Sequence, residues 1–114
     1  MEQLFEKMKE YVKMDTEIST EEFMEDYKKV IDKLVADFDQ LTEEEQFKAR
    51  AIVSIMSGNA ANRAKRKDAD TKKFRKAQEK SQFWVDAIEY RLKKSGLSED
   101  EIKERADGIE KEMQ

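Results

Sequence analysis

The chain contains no cysteine and no histidine among its 114 residues. Without cysteine it has no disulfide and no thiolate nucleophile, and without histidine the catalytic triads and the Glu-x-x-His di-metal motif lose an essential member. A lack of cysteine is also compatible with a reducing compartment, so we expect a cytoplasmic protein.

Glycine is nearly as scarce, with three scattered residues and neither a Walker pattern nor a G-x-G-x-x-G phosphate loop. The closest approach to a calcium loop begins Asp37-x-Asp39. Its sixth position is Thr42 where the loop requires glycine, and its twelfth is Lys48 where the loop requires glutamate. We therefore expect no cofactor and no bound metal ion, and a protein that is not an enzyme.

Proline is absent, and no apolar run approaches the 18 residues that indicate a membrane-spanning helix. The start of the chain has neither the basic nor the apolar region of a secretory signal, so we expect no membrane insertion or export. Charged residues make up 44% of the chain. A composition rich in Glu, Lys, Ala, Met and Leu and poor in Gly and Pro predicts an all-α protein.

Three capping boxes divide the sequence into helices. In each, Ser or Thr is followed three residues later by Glu, and an apolar stripe at helical spacing comes next. The boxes are Ser19/Glu22, Thr42/Glu45 and Ser98/Glu101. We predict helices over residues 2–13, 20–40, from 43 through Gly58 to about 66, 71–94 and 99–113. The chain should form one domain, residues 1–114, a compact bundle of four to five helices whose third and fourth helices make a long antiparallel hairpin.

Charge is distributed unevenly along the chain. The net charge is −9 over residues 1–46, +9 over 47–95 and −4 over 96–114. Nine cations lie between residues 63 and 80, here called the basic segment: Arg63, Lys65, Arg66, Lys67, Lys72, Lys73, Arg75, Lys76 and Lys80. The segment spans the predicted turn of the hairpin, where core-type residues other than alanine are absent between Met56 and Phe74. We expect that end to project into water.

The basic segment has three interpretations. Its cations are either a solvated helix surface whose field the acidic helices largely cancel, or a binding site for another macromolecule. Among partners, a protein is favoured, and a nucleic acid is the alternative because clustered cations release counterions from phosphates. Only Phe74 lies among these cations, and its spacing places it in the core. The segment therefore offers no aromatic side chains for stacking bases.

The fourth predicted helix carries a second apolar stripe, Phe83, Ala87 and Tyr90, besides the stripe of Trp84, Val85, Ile88 and Leu92. A helix that is apolar on two faces is either central in its bundle or exposes one face to a partner. The central position is favoured in a five-helix domain. In the other case Phe83 and Tyr90 are anchors of an interface.

These observations predict a small protein-binding module that acts as a regulator or inhibitor. Its candidate binding residues are the cations of the basic segment other than Lys80, together with Phe83 and Tyr90. The alternative is a nucleic-acid-binding accessory protein that uses residues 63–80, and self-association is left open. In composition alone the chain resembles the short, acidic, Lys/Glu-rich helical proteins of Gram-positive phages and mobile elements, and no motif accompanies the resemblance.

Overall fold

The computed structural model describes residues 2–14 and 17–113, and over these residues the chain forms five α-helices and one short 3-10 turn. The helices are α1 (Glu2–Lys13), α2 (Thr20–Asp37), α3 (Glu43–Ala64), α4 (Thr71–Lys94) and α5 (Glu99–Met113); the 3-10 turn is Phe38–Gln40. The predicted all-α bundle is confirmed. The most extensive packing joins α3 to α4, as expected for a long hairpin. No described helix has the length and apolar character needed to cross a membrane.

The predicted caps begin the helices where the sequence placed them. At Thr42 and Ser98 both halves of the box form: the hydroxyl accepts from the backbone N–H of the glutamate, whose carboxylate accepts from the backbone N–H of the cap. Ser19 Oγ accepts from the backbone of Glu22 at 3.1 Å. After α4, Gly96 has a φ of 109°, a left-handed conformation that favours glycine. These caps separate α2, α3 and α5 from the segments before them.

Two helix boundaries refine the sequence prediction. The second helix was expected to reach residue 40, but its α-helical part ends at Asp37 and the last three residues tighten into a 3-10 turn. Such tightening satisfies carbonyl groups that lack a partner at a helix end. The third helix continues through Gly58, as predicted, because no second stop signal accompanies that glycine.

The main core lies among all five helices. Phe5 and Met8 of α1, Leu34 of α2, Ile52 of α3 and Ile88 of α4 are all buried in it. The outer helices bring one apolar stripe each, and α3 is covered on several sides because it lies in the middle. Thus α3, rather than α4, is the central helix.

A second, smaller core cluster lies under the hairpin end, so apolar packing extends closer to the turn than the absence of core-type residues between Met56 and Phe74 predicted. Phe23 of α2 and Phe74 of α4 meet edge to face, with ring centroids 5.7 Å apart, and three alanines let the helices approach closely. Arg63 was predicted to be a solvated binding cation, but only 2% of it is exposed. Its guanidinium lies 4.9 Å from the Phe23 ring and 5.5 Å from the Phe74 ring.

Candidate protein-binding surface on helix α4

One face of α4 points away from the core along the whole helix. At about 100° per residue, Phe83 lies on the side opposite the buried residues Phe74, Ile88 and Leu92. Residues separated by three or four positions continue this face toward both ends of the helix. We call the resulting row of exposed side chains the α4 outer face: Lys72, Lys76, Glu79, Phe83, Asp86, Tyr90 and Lys94.

Phe83 and Tyr90 dominate the carboxyl-terminal half of the α4 outer face. Their exposed fractions are 61% and 63%, so the favoured prediction that α4 is sandwiched in the bundle is wrong. The two rings are two helical turns apart, about 10 Å along the helix axis. Lys94 Nζ lies 5.4 Å from the centre of the Tyr90 ring, and Phe83 touches Trp84 edge to face at 5.5 Å. Two large rings are therefore presented to solvent on one side of one helix.

The 3-10 turn Phe38–Gln40 lies beside these rings and is held to α4 by Arg91. We call this turn, together with Arg91, the shoulder. Arg91 donates from both terminal nitrogens to the backbone carbonyls of Phe38 and Asp39, the latter at 2.9 Å, and its guanidinium stacks 5.1 Å from the Phe38 ring. Phe38 also meets Trp84 edge to face at 5.3 Å. Between this shoulder and the rings of Phe83 and Tyr90 lies a shallow open depression with Ala87 at its base. Most of its exposed wall is apolar, and the charged residues Asp39, Asp86, Arg91 and Lys94 border it.

The amino-terminal half of the α4 outer face is basic. Lys72 and Lys76 lie on it, Lys73, Arg75 and Lys80 flank it, and Lys65, Arg66 and Lys67 surround the hairpin turn. All eight are exposed. In the part of the chain that the structure describes, Arg66 alone of these eight lies within 4 Å of a carboxylate, that of Glu17. Direct ion pairs between described residues therefore involve one of these eight cations.

Arg66 and Glu17 tie the hairpin end to the connection between α1 and α2. Arg66 donates to Glu17 Oε1 at 2.6 Å, and this hydrogen bond lowers the pKa of the Glu17 carboxyl and raises that of the guanidinium. Arg63 Nε lies 3.6 Å from the same oxygen. Two of the nine cations thus have a structural partner, while the others face solvent.

The structure brings the two candidate surfaces of the sequence onto one helix face. Lys72, Lys76, Phe83 and Tyr90 share the α4 outer face over about 27 Å. Lys73 and Arg75 border it, Lys65, Arg66 and Lys67 lie near its amino-terminal end, and Arg63 lies in the interior. The sequence analysis missed Phe38, Arg91 and Lys94. Lys94 could have been predicted from the sequence, because it continues the three- and four-residue spacing that begins at Lys72. Phe38 and Arg91 could not, because their contact depends on tertiary packing.

No protein-family model matches this sequence, and no significant match was found among curated proteins or solved structures. The arguments for function therefore come from the chemistry of the surface. That surface combines two exposed aromatic rings, a mostly apolar depression and two lysines, Lys72 and Lys76, that pair with no carboxylate of the described residues.

Proposed function

We propose that this protein is a non-enzymatic regulator or inhibitor whose α4 outer face docks on an acidic amphipathic helix of a partner protein. The observation that carries the proposal is the exposure of most of Phe83 and Tyr90 on the side of α4 opposite the core. Aromatic side chains are enriched among the residues that dominate binding energy, and tyrosine especially so. The rings would supply affinity by burying their faces against apolar side chains of the partner.

The spacing of the α4 outer face favours a helical partner. Its residues recur at intervals of four and three, the repeat with which two helices pack side by side. The apolar depression beside Phe83 and Tyr90 suits a row of apolar side chains on such a helix. The row is about 27 Å long between Lys72 and Tyr90, enough for five turns of a partner helix.

The positive charge of the α4 outer face indicates the charge of the partner helix. Lys72 and Lys76 extend the face beyond the rings, and no described carboxylate pairs with them. Unpaired cations attract an acidic surface and accelerate its encounter, and their effect weakens as salt is added. The partner helix should therefore carry carboxylates at the end that meets α4's first turns.

Three carboxylates favour a protein over a nucleic acid. Glu79 and Asp86 lie on the α4 outer face itself, one on each side of Phe83 along the helix, and Asp39 lies on the shoulder. A phosphate backbone that ran from Lys72 to the two rings would pass these negative charges. A helical partner can place a basic or neutral side chain opposite each of them.

A helical-peptide display library selected on the purified protein tests the proposal. We expect the enriched peptides to be acidic and to carry apolar residues at intervals of three and four. The double variant Phe83→Ser/Tyr90→Ser should bind them at least tenfold more weakly, because hot-spot aromatics contribute most of the affinity. Enrichment of basic peptides, or unchanged binding by the double variant, would overturn the proposal.

Matched controls come from α2. Val35→Ser removes an apolar side chain that is 67% exposed but lies off the α4 outer face, so it should leave affinity unchanged. Lys72→Glu/Lys76→Glu should slow association, whereas Lys28→Glu on α2 should have little effect.

Fluorescence anisotropy with a single-stranded and a duplex 20-nucleotide DNA tests the alternative. Tighter binding of either DNA than of the selected peptides, with a steep loss as salt rises, would favour the nucleic-acid function and contradict the protein partner. Light scattering of the free protein tests whether a second copy of the chain covers the α4 outer face. A dimer that Phe83→Ser/Tyr90→Ser converts to a monomer would contradict the proposal that a different protein binds there.

A further inference from the structure

An open depression lies at the hairpin end, between the carboxyl-terminal end of α3 and the amino-terminal half of α4. Six residues of the two helices and their turn line it: Ala61, Ala64, Lys65, Lys67, Arg75 and Gln78. At about 100° per residue, Arg75 and Gln78 lie about 80° and about 140° around the axis of α4 from Phe83. The depression therefore opens to one side of the α4 outer face, and its role does not depend on the function proposed for that face.

Three cations share this depression. Lys65, Lys67 and Arg75 are exposed, and within residues 2–14 and 17–113 none of them lies within 4 Å of a carboxylate, since Glu17 pairs with Arg66 instead. Like charges around one concave site repel each other, and such a site concentrates the field that attracts an anion. An anion bound among the three would relieve their repulsion.

The rest of the lining accommodates an anion. Ala61 and Ala64 have only a methyl group as side chain, which leaves space between the two helices, and the Gln78 amide is a neutral hydrogen-bond donor. Backbone carbonyls at the end of α3 would oppose an anion if they were free. Those of Ala61 and Ala64 already accept from the backbone N–H groups of Lys65 and Lys67, at 3.3 and 3.4 Å.

The backbone of Lys67 is an independent observation at the same place. Its φ is 52°, and among the described residues it is the one residue other than glycine with a positive φ. A glycine adopts this left-handed conformation after a helix with less strain, as Gly96 does after α4. The turn alone would thus favour glycine at this position. A function of the Lys67 side chain accounts for the lysine.

The charge of the depression favours an anion with two negative charges. A phosphate monoester carries close to two charges at neutral pH and has three acceptor oxygens, and a guanidinium can donate to two of them in parallel. The acidic residues nearest in sequence leave this attraction in place. Asp68 accepts from the backbone N–H of Asp70 at 2.9 Å, and Glu79 lies on the α4 outer face.

We propose that the depression between α3 and α4 binds a phosphate monoester group, held by Lys65, Lys67 and Arg75. Methyl phosphate and N-acetyl-phosphoserine amide are suitable probes, because they carry this group on a small molecule and on an amino acid. Dimethyl phosphate is the matched control, because its second ester leaves it one negative charge.

Backbone amide signals of the ¹⁵N-labelled protein report binding residue by residue while each probe replaces chloride at constant ionic strength. We expect at least one monoester to shift the signals of Lys65, Lys67 and Gln78 saturably, and dimethyl phosphate to bind at least tenfold more weakly because it has half the charge. Failure of both monoesters to give saturable shifts, or equal binding of dimethyl phosphate, would refute the proposal.

Two variants test the assigned cations. Arg75→Gln should weaken monoester binding at least tenfold, whereas Lys80→Gln, about 140° around α4 from Arg75, should change it less than threefold. Equal weakening by the two would mean a general attraction to the basic segment and contradict the site. Lys67→Gly should weaken binding and raise the urea midpoint of unfolding, because it removes a cation and relieves the left-handed backbone. Unchanged affinity in Lys67→Gly would show that the lysine serves the turn alone.

Discussion

Both faces of α4 carry large apolar side chains, which are buried on the inner face and exposed on the outer face. The inner face buries Phe74, Ile88 and Leu92 against α3 and its neighbours, while the outer face leaves Phe83 and Tyr90 more than three-fifths exposed. The inner residues stabilise the folded protein by burying their apolar surface in the core. Among the described residues, the outer rings contact Trp84 and Lys94, but most of their surface stays uncovered. The contrast indicates that the outer aromatics serve binding rather than folding.

The largest expected effect is the difference in unfolding free energy between truncating an inner and an outer residue of α4. Leu92→Ala should lower the free energy of unfolding by about 2–5 kcal/mol, because Leu92 is fully buried and its truncation leaves a cavity. Tyr90→Ala, two residues earlier on the outer face, should change it by no more than about 0.5 kcal/mol. Urea denaturation followed by circular dichroism measures both values. Equal losses would show that the outer face is also part of the core.

A second expected effect compares two cations of the basic segment. Arg63→Ala should cost about 2 kcal/mol of unfolding free energy, because it removes the charged hydrogen bond to the Ile18 carbonyl and the packing between Phe23 and Phe74. Lys72→Ala, on the outer face, should cost about 0.5 kcal/mol or less. The same denaturation assay decides, and an Arg63→Ala variant as stable as Lys72→Ala would contradict the structural role of Arg63.

A third effect concerns the start of the two hairpin helices. Thr42→Ala removes a complete capping box from α3 and should cost about 1 kcal/mol. Asp70→Ala at the start of α4 should cost less, because the Asp70 side chain makes no capping hydrogen bond. Urea denaturation measures both losses from the unfolding midpoints, provided that the dependence of the unfolding free energy on urea is the same in the two variants. A greater loss for Asp70→Ala would contradict the cap assignment.

The smallest effect is a pH dependence at the hairpin end. Because Arg66 holds the pKa of Glu17 below its ordinary value of 4.5, the contribution of this pair to stability is fully present above that value and is lost as the pH falls through the lowered pKa. Wild type should therefore be slightly more stable than Glu17→Gln at pH 7, and the difference should shrink as the pH falls from 7 through the lowered pKa. A constant difference across this range would contradict the pairing.

The helices could be predicted from the sequence because their signals are local. Ser19, Thr42 and Ser98 cap helices in the structure, and Val85, Ile88 and Leu92 of the predicted α4 stripe are buried in the core. The environment of Arg63 could not be predicted in this way. In the sequence, an arginine among alanines is typical of a solvated helix surface. Arg63 is buried because Phe23, 40 residues earlier in the chain, packs against it.

The candidate surface was predicted in its parts and not in its arrangement. Lys72, Lys76, Phe83 and Tyr90 were each singled out, but whether α4 is central or peripheral depends on which helix the bundle places in the middle. That position belongs to α3, whose apolar residues are buried on several sides. The shoulder formed by Phe38 and Arg91 joins residues 53 positions apart and has no local sequence signal.

The most direct test of the proposed function is to measure affinity and stability on the same variant, Phe83→Ser/Tyr90→Ser. With an acidic helical peptide selected on the wild-type protein, the proposal predicts at least a tenfold rise in the Kd and a change in unfolding free energy of about 0.5 kcal/mol or less. Unchanged affinity in this stable variant would contradict the central claim that the outer face of α4 is the binding surface.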